Sequence, residues 1–343
     1  MRVTTPAHTT RTRRATALTA SAAAAALLLS ACGGGSGGGG ESAGEGGGDL
    51  DASFITIATG GSSGVYYQVG ATVSEMLADN LGSDTSVQST GASVENINLI
   101  TSGDAELAFA QGDASTQAME GTGAFDGKEP KELMAIGSMY NQYVQIVAMA
   151  DAGIESIEDL AGKTVSVGDI NSGVELNART VLEAYDMSYD DFTADYLSYS
   201  EAIDQMRNGQ VDAAFVTSGL PNSAVLDISS TDDVDIVPVD GDGKQTLLDS
   251  YGYFGDGSIP ADVYEQDADV ETITIPNVLL VSTELSEDAV YDITATLFDD
   301  LDTLHASHNA AADITPETVT EGLTVPMHPG AQRYFEEQGV DVG

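Results

Sequence analysis

The sequence predicts a mixed α/β protein built from two similar halves, and two pairs of matching segments support this prediction. In the first pair, a short apolar strand, a Gly/Ser-rich loop and a helix follow one another from residue 54 and again from residue 164. In the second pair, residues 103–113 resemble residues 209–219. The offset is 109 residues in the first pair, measured between Gly64 and Gly173 of the loops, and 106 residues in the second, so we interpret the pairs as one internal repeat. Chance similarity between common strand patterns is the alternative interpretation.

The first strand of each half is short and apolar, with FITIA at residues 54–58 and TVSV at residues 164–167. Glycine and serine follow each strand, and apolar residues then recur at the spacing of a buried helix face. In the first half this face consists of Val65, Val69, Val73, Met76 and Leu77, and in the second half of Leu176, Ala178, Val181 and Leu182. Each half therefore opens with a strand, a loop and a helix.

Two further β-prone runs, residues 134–150 and 272–281, lie outside these units. We predict that they cross between the two lobes and act as the hinge of a central cleft. The chain after about residue 287 then returns to the first lobe through a helix with apolar residues Val290, Ile293, Leu297, Leu301 and Leu304. These boundaries place residues 52–142 and 277–343 in lobe I and residues 143–276 in lobe II.

The N-terminus, residues 1–31, is typical of a secretory signal. Four arginines precede an apolar run at residues 15–29, which is too short to span a bilayer as a stable anchor. Cys32 is the only cysteine and follows the small-residue sequence LSA, an arrangement that resembles the lipobox of bacterial lipoproteins. We therefore expect cleavage before Cys32 and lipidation of its thiol, although an ordinary signal peptide with an incidental cysteine is the alternative. A lone cysteine also excludes an intramolecular disulfide.

The segment after Cys32 is predicted to be a flexible tether. Residues 33–48 consist mainly of glycine, with a few serine and glutamate residues. Such a segment cannot bury apolar surface and behaves as a flexible coil. We expect residues 32–51 to connect a folded, extracytoplasmic module to a lipid anchor in the cell membrane.

The predicted mature chain is strongly acidic. Removal of the four N-terminal arginines leaves seven Lys and Arg residues against 55 Asp and Glu residues, a formal net charge of −48. This charge repels nucleic acid and anionic lipid surfaces, and the sequence contains no basic patch that would bind them. Most of the acids lie in stretches typical of solvated faces, so we interpret the excess as an adaptation for solubility, including at high salt.

Both Gly/Ser loops offer an anion site that needs no basic side chain. Ligands of open α/β sheets bind beyond the carboxyl ends of the strands. The first turn of a helix there presents unpaired N–H groups and a partial positive charge, and glycine lets a ligand approach the backbone. The loops at residues 61–64 and 171–173 therefore predict a site for a small carboxylate between the two lobes.

Polar residues also end the matching strands of the second pair. Gln111 and Asp113 end one strand, and residues 217–219 (Thr, Ser and Gly) end its counterpart. Asp113 has two interpretations: it accepts a hydrogen bond from a ligand ammonium, or it caps the next helix. The two roles are compatible.

Several short motifs follow one another along the chain. They are TGGSSGVYY at 59–67, GASVEN at 91–96, AQGD at 110–113, DLAGKTVSVG at 159–168, NSG at 171–173, residues 209–215, IP at 259–260 with Tyr264, and VPMHPGA at 325–331. These motifs resemble, in the same order, those of the TAXI family, the solute-binding subunits of one branch of TRAP transporters. The resemblance covers essentially all of residues 54–340.

This resemblance implies a two-lobed, type II-like periplasmic-binding-protein fold that closes around its ligand. It also implies a sodium-coupled TRAP membrane permease as partner and, as ligand, glutamate or another small carboxylate. We expect a monomer that is not an enzyme and uses no cofactor or metal. Carried over position by position, the ligand-binding residues are Gly61, Ser62, Gly64, Tyr66, Ser93, Asn96, Gln111, Asp113, Asn171, Ser172, Gly173, Gly219 and Pro221.

One departure from the family pattern affects the second loop. The family usually has a glycine and a threonine around the Ser-Gly pair, where this sequence has Asn171 and Val174. Loss of the threonine hydroxyl removes a candidate donor and puts the usual ligand in question. His328 is typical of the family, and we favour a structural role for it in a C-terminal turn.

Three other interpretations remain open. GGSSG at residues 60–64 fits the G-x-S-x-G nucleophile elbow, which makes Ser62 a candidate nucleophile of a serine hydrolase. His305 and His308 have a spacing that can ligate a metal, with Asp302 adding a carboxylate, although we favour a solvent-facing pair on a helix. A surface lipoprotein that senses its ligand would use the same fold.

Overall fold

A computed structural model describes residues 54–128 and 131–343 of the chain. The predicted signal peptide, the lipidation site at Cys32 and the linker at residues 32–51 lie outside the described residues. Within the described ranges, no helix is both long enough and apolar enough to cross a membrane.

Strands and helices alternate through both halves of the chain. The strands are β1 Phe54–Ala58, β2 Asp84–Gln88, β3 Leu107–Gln111, β4 Met134–Met149, β5 Thr164–Ser166, β6 Thr193–Asp195, β7 Ala213–Ser218, β8 Val234–Val237, β9 Gly255–Ile259 and β10 Val270–Val281. The α-helices are α1 Val65–Leu81, α2 Ser93–Ser102, α3 Gly112–Glu120, α4 Gly173–Ala184, α5 Tyr199–Arg207, α6 Ser223–Ser229, α7 Gly241–Ser250, α8 Glu287–Phe298, α9 Leu301–Ser307 and α10 Pro329–Glu337.

The two halves of the sheet have the same strand order. The sheet runs β2-β1-β3-β10-β4-β7-β5-β6, so β1 and β5 each lie between two parallel strands of their own half. The next neighbour is an antiparallel strand in each half, β10 beside β3 and β4 beside β7. Corresponding strands begin 110, 109 and 106 residues apart. The internal repeat predicted from the sequence is therefore confirmed.

Two long strands, β4 and β10, connect the halves. Residues 277–281 of β10 pair with β3, whereas residues 270–274 pair with β9. The two strands also pair with each other, and residues 143–148 of β4 pair with β7. The two β-prone runs therefore cross between the halves as the sequence predicted, and their role as a hinge remains a prediction.

Alternating side chains along the strands divide each half between two cores. Leu107 and Phe109 of β3 pack in a core with α1, α8 and α10, whereas Ala108 and Ala110 pack on the opposite face with α2 and α3. β7 alternates in the same way between a core with α4 and α7 and a core with α5 and α6. This period of two buries both faces of the sheet and leaves the strand ends free to carry loops.

The helix predicted to carry Val290 to Leu304 is two helices, because Asp300 starts a new one. α8 ends at Phe298 and α9 begins at Leu301. The Asp300 carboxylate accepts hydrogen bonds from the Thr303 amide (3.3 Å) and hydroxyl (2.8 Å) and so caps α9. The apolar spacing continued across the break because both helices pack against the same core.

Candidate functional site

A cavity lies where the carboxyl ends of the parallel strands of both halves meet. Its wall is formed by residues within 60–66, 90–93, 169–174 and 197–199, together with the ends of β3 and β7 and the middle of β4. The space between protein atoms measures about 580 Å³ including solvent at the mouth, of which about 50 Å³ admits the centre of a water molecule. The position and size fit a small-molecule site in an open α/β sheet.

Four helices begin at the cavity wall. Their N-caps, Gly64 of α1, Ala92 of α2, Ser172 of α4 and Ser198 of α5, all line the cavity. These helices contain between 9 and 17 residues, so each places unpaired first-turn amides and a partial positive charge at its start. In α1 and α4, the two amides that follow the N-cap have no hydrogen-bond partner among the described residues. The backbone therefore makes this wall electropositive.

Basic side chains do not contribute to this wall. All seven Lys and Arg residues of the predicted mature chain lie in the described part, and none of them lines the cavity. Arg179, Arg207, Lys244 and Arg333 form ion pairs with carboxylates elsewhere on the protein. An anion in the cavity would therefore be held by backbone amides and neutral side chains.

Gly173 brings the start of α4 into contact with the first half. A Cβ atom built at Gly173 would lie 2.2 Å from Oε1 of Gln111 and 2.7 Å from the hydroxyl oxygen of Ser93. Such distances are shorter than real Cβ contacts, so a larger residue here would force the Gln111 and Ser93 side chains to shift or the halves to move apart. Ser172, beside it, caps α4 by accepting a hydrogen bond from the Glu175 amide at 3.1 Å.

Four buried polar atoms of the wall have no hydrogen-bond partner among the described residues. They are the hydroxyl oxygens of Tyr66, Tyr140 and Thr217 and Oε1 of Gln111. Burial raises the pKa of Tyr66 and of Tyr140 well above the usual tyrosine value, so both hydroxyls keep their protons at neutral pH. Because an unpaired buried polar group costs about 1–3 kcal/mol, these atoms favour a polar ligand in the cavity.

Hydrogen bonds also join the two halves beside the cavity. The Ser223 hydroxyl donates to the Ser63 carbonyl oxygen at 2.8 Å, and Asn177 Nδ2 donates to Asp113 Oδ2 at 2.7 Å. The Tyr199 ring lies 3.8 Å from the Cβ position of Gly64 in the opposite half. The cavity is therefore enclosed by both halves in this conformation.

The structure brings together seven of the thirteen residues predicted to bind ligand. Those in the cavity wall are Gly61, Gly64, Tyr66, Ser93, Gln111, Ser172 and Gly173. Those outside the wall are Ser62, Asn96, Asp113, Asn171, Gly219 and Pro221.

Of these outer residues, Ser62 and Asn171 belong to the loops around the wall, and Asn96 lies in the first turn of α2. Ser62 and Asn171 are exposed to solvent. Asn96 is fully buried, and its side-chain amide donates to the carbonyl oxygens of Thr59 and Phe109. Asn96 thereby fixes the loop that follows β1 against the end of β3, which positions the wall without contacting the cavity.

Gly219 and Pro221 face the C-terminal part of the chain. A Cβ atom built at Gly219 would lie 2.6 Å from Cβ of Ala310. The Pro221 carbonyl oxygen lies 3.0 Å from Nε2 of His308. The loop after β7 therefore contacts the segment after α9 instead of the cavity.

Asp113 is buried between the two halves. It lies in the first turn of α3, whose N-cap is Gln111, so the prediction that it caps this helix is wrong. Its Oδ1 atom has no hydrogen-bond partner among the described residues. Burial raises the pKa of Asp113 to about 7, although the hydrogen bond from Asn177 favours the ionised carboxylate.

Several residues of the wall were not singled out in the sequence, among them Tyr140, Gln142, Asp169 and Tyr199. Gln142 accepts a hydrogen bond from Gln111 at 2.8 Å, and the Tyr199 hydroxyl donates to the carbonyl of a β7 residue at 2.7 Å. Tyr199 directly follows Ser198, which forms a capping box with Glu201 at the start of α5. This capping pattern can be recognised in the sequence and could have identified the start of α5. Tyr140 and Gln142 lie within the long strand β4, where the sequence carries no signal for the cavity-facing positions.

The histidines of the described residues bond to backbone groups. Nε2 of His305 and of His308 lie 2.8 and 3.0 Å from carbonyl oxygens, and His328 caps α10 by accepting a hydrogen bond from an amide at 3.2 Å. His305 lies in α9, whereas His308 lies beyond its end, so the two do not share one helix as predicted. None of the three bonds to Ser62. Within the described residues, no group of three or more His, Cys, Asp or Glu side chains is arranged to hold a metal ion.

Solved structures of binding proteins resemble this chain at low sequence identity. PhnD1 from Prochlorococcus marinus, in complex with methylphosphonate, is 11% identical, with a TM-score of 0.52 over 77% of this chain and 91% of its own. An ancestral arginine-binding protein bound to arginine is 14% identical, with a TM-score of 0.47 over 75% of this chain and 97% of its own. The periplasmic aliphatic sulphonate binding protein SsuA from Escherichia coli is 11% identical, with a TM-score of 0.42 over 83% of this chain and 82% of its own.

The likeness to PhnD1 shows the fold, which is the two-lobed, type II-like α/β fold predicted from the sequence. Residues 57–339 match the NMT1-like family, and this match covers most of the chain. The chain therefore belongs to the NMT1-like family.

Proposed function

We propose that this chain is an extracytoplasmic solute-binding protein that captures a small carboxylate, such as a glutamate-like amino acid or a dicarboxylate, for uptake by a TRAP permease. The observation that carries this proposal is the meeting of four helix N-termini in a cavity whose wall has no basic side chain. A carboxylate suits this wall because its oxygens accept hydrogen bonds from amides and hydroxyls. Each hydrogen bond to a charged acceptor contributes about 1.5–3 kcal/mol.

Both halves supply donors to the proposed carboxylate site. Tyr66 and Ser93 belong to the first half and Ser172 and Gly173 to the second, and all four line the cavity. We assign residues 52–142 and 277–343 to lobe I and residues 143–276 to lobe II. In this proposal the ligand joins the lobes, and flexing of β4 and β10 opens and closes the cleft.

The proposed permease partner and the proposed lipid anchor are supported by sequence motifs. The TAXI-like motifs favour a TRAP permease, and Cys32 with residues 32–51 would tether the protein to the membrane beside it. A permease of the ABC type, or a sensor kinase in place of a permease, are the alternatives. The genes next to this one distinguish them, because a solute-binding protein is commonly encoded beside its own permease.

Calorimetric titration of the mature chain, residues 32–343, tests the proposed ligand class. The ligands are α-amino acids, dicarboxylates, 2-oxoacids, methylphosphonate and neutral sugars, in buffer with about 1 M salt. We expect binding of carboxylates and none of sugars. Binding of sugars alone would overturn the carboxylate proposal and leave the fold and the family unaffected.

A matched pair of serine variants locates the site. Ser172→Ala removes a helix cap in the cavity wall, and Ser286→Ala removes an equivalent cap, 3.2 Å from the Ala289 amide, at the start of α8 outside the wall. Both changes should lower the stability by about 1 kcal/mol. Only Ser172→Ala should also weaken ligand binding; equal affinities of the two variants would exclude this end of α4 from the site.

A further inference from the structure

One acidic residue of the cavity wall, Asp169, has no partner. It lies in the loop between β5 and α4 and is partly buried. Its carboxylate forms no hydrogen bond or ion pair with any described residue; its backbone carbonyl accepts the Ser172 amide at 3.0 Å. A Cβ atom built at Gly91, in the opposite half, would lie 4.0 Å from Cβ of Asp169. Asp169 therefore faces across the cleft.

The other charged groups near Asp169 are acids that already have partners. Glu95 of α2 accepts a hydrogen bond from the Gly91 amide at 2.7 Å, and Glu201 of α5 accepts from the amide and hydroxyl of Ser198 at 3.1 and 2.7 Å. Burial, and then the negative charges of Glu201 and Glu95, raise the pKa of Asp169. No basic side chain lines the cavity to offset this charge.

Other atoms of the same cavity wall are suited to a polar ligand. The hydroxyls of Tyr66 and Tyr140 and Oε1 of Gln111 are more than nine-tenths buried and have no partner among the described residues. The two tyrosine hydroxyls and the four helix N-termini can donate hydrogen bonds to a carboxylate, whereas Oε1 of Gln111 can only accept one from a donor on the ligand. Asp169 is the one acidic side chain of the cavity wall, and its carboxylate would be neutralised by a positive charge on the ligand.

We propose that Asp169 is the amine subsite of the cavity, so that the ligand carries both a carboxylate and a protonated amine. This inference rests on the proposed carboxylate function and narrows it. The ligand carboxylate lies at the helix N-termini, and its ammonium donates a hydrogen bond to Asp169. A dicarboxylate without an amine is disfavoured because its second carboxylate would meet Asp169 in a wall that has no basic side chain.

Pairs of ligands that differ only in the amine test this inference. Calorimetric titrations of the mature chain would use glutamate and glutarate, glutamine and glutaramate, and leucine and 4-methylpentanoate. Wild type should bind the amine-bearing member of at least one pair about 10- to 100-fold more tightly, in line with one hydrogen bond to a charged group. Asp169→Asn should abolish most of this preference, because it removes the charge and preserves the shape.

Asp151→Asn is the matched control. Asp151 is exposed, lies in the same half and lines no part of the cavity, so the change removes one negative charge and should leave the preference for the amine intact. Equal binding of the two members of each pair by wild type would overturn the inference and leave the carboxylate function standing. An unchanged preference in Asp169→Asn would do the same. Failure of every carboxylate, with or without an amine, would instead remove the proposed function itself. If Asp169→Asn does not fold, the wild-type preference alone decides.

Discussion

Replacement of Gly173 by alanine should weaken ligand binding without destabilising the ligand-free protein. The added Cβ would lie 2.2 Å from Oε1 of Gln111 and 2.7 Å from the Ser93 hydroxyl, which belong to the opposite half. Overpacking of this kind costs about 1–3 kcal/mol. If the halves separate in the absence of ligand, the clash exists only in the closed state, and the cost appears in the affinity. The dissociation constant should then rise about 5- to 150-fold.

The ligand-free stability separates this mechanism from simple misfolding. In the open state alanine at the first position of α4 meets no opposing half, so the melting temperature of ligand-free Gly173→Ala should stay close to that of wild type. Calorimetric titration measures the affinity, thermal unfolding measures the stability, and small-angle X-ray scattering measures whether ligand still closes the cleft. Gly252→Ala is the control, because a Cβ atom at Gly252 would have no neighbour within 4 Å and Gly252 lies outside the cavity.

Two results would refute the reasoning about Gly173. Wild-type affinity in Gly173→Ala would mean that the contact between Gly173, Gln111 and Ser93 is not part of the ligand-bound state. If the free energy of unfolding of the ligand-free variant falls by as much as its free energy of ligand binding, the halves stay closed without ligand.

Two further predictions concern buried groups of the same region. Tyr66→Phe should weaken ligand binding, because it removes a hydroxyl of the cavity wall that has no partner among the described residues and is available to a ligand; wild-type affinity in calorimetric titration would show that this hydroxyl does not contact the ligand. The pKa of Asp113 is raised to about 7 in the folded protein, above its value of about 3.9 in the unfolded chain, so the folded state binds the extra proton. Its contribution to stability should therefore fall as pH rises from about 4 to 7, by up to about 1.4 kcal/mol per pH unit. Asp113→Asn should remove this part of the slope in denaturant unfolding measured between pH 5 and 8, and an unchanged slope would contradict the assignment.

The repeated architecture was readable from the sequence because it depends on local patterns. The strand at residues 54–58, the helix from Val65 and the second-half helix from Gly173 follow from apolar spacing and Gly/Ser loops. The break between α8 and α9 was missed because the apolar spacing is continuous, and the break is decided by one side-chain cap at Asp300.

The cavity was only partly readable because its wall depends on contacts between distant segments. The helix starts at Gly64 and Ser172 carry local signals, and both line the cavity. Asn96 and Asp113 also occur in motifs of the sequence, but neither lines the cavity. Asn96 bonds to the backbone of β3, and Asp113 is buried against Asn177. Tyr140 and Asp169 face the cavity because of strand register and loop direction, which a single sequence does not specify. Membership in a motif therefore identified the region, and packing decided which residues line the cavity.

The strong negative charge of the protein and an anion site in its cleft are physically compatible. Exposed charges are screened by salt over about 8–10 Å at ordinary ionic strength, so most of the surface acids act weakly on a ligand inside the cleft. The helix N-termini act within the first turn and in a wall shielded from solvent, where their partial charges are screened much less. Among the described residues, the basic side chains form ion pairs or lie away from the cavity, and the proposed site does not need them. An acidic surface can thus provide solubility while the backbone would provide the affinity for the proposed anion, and an acid inside the wall, such as Asp169, would have the direct effect on which ligand binds.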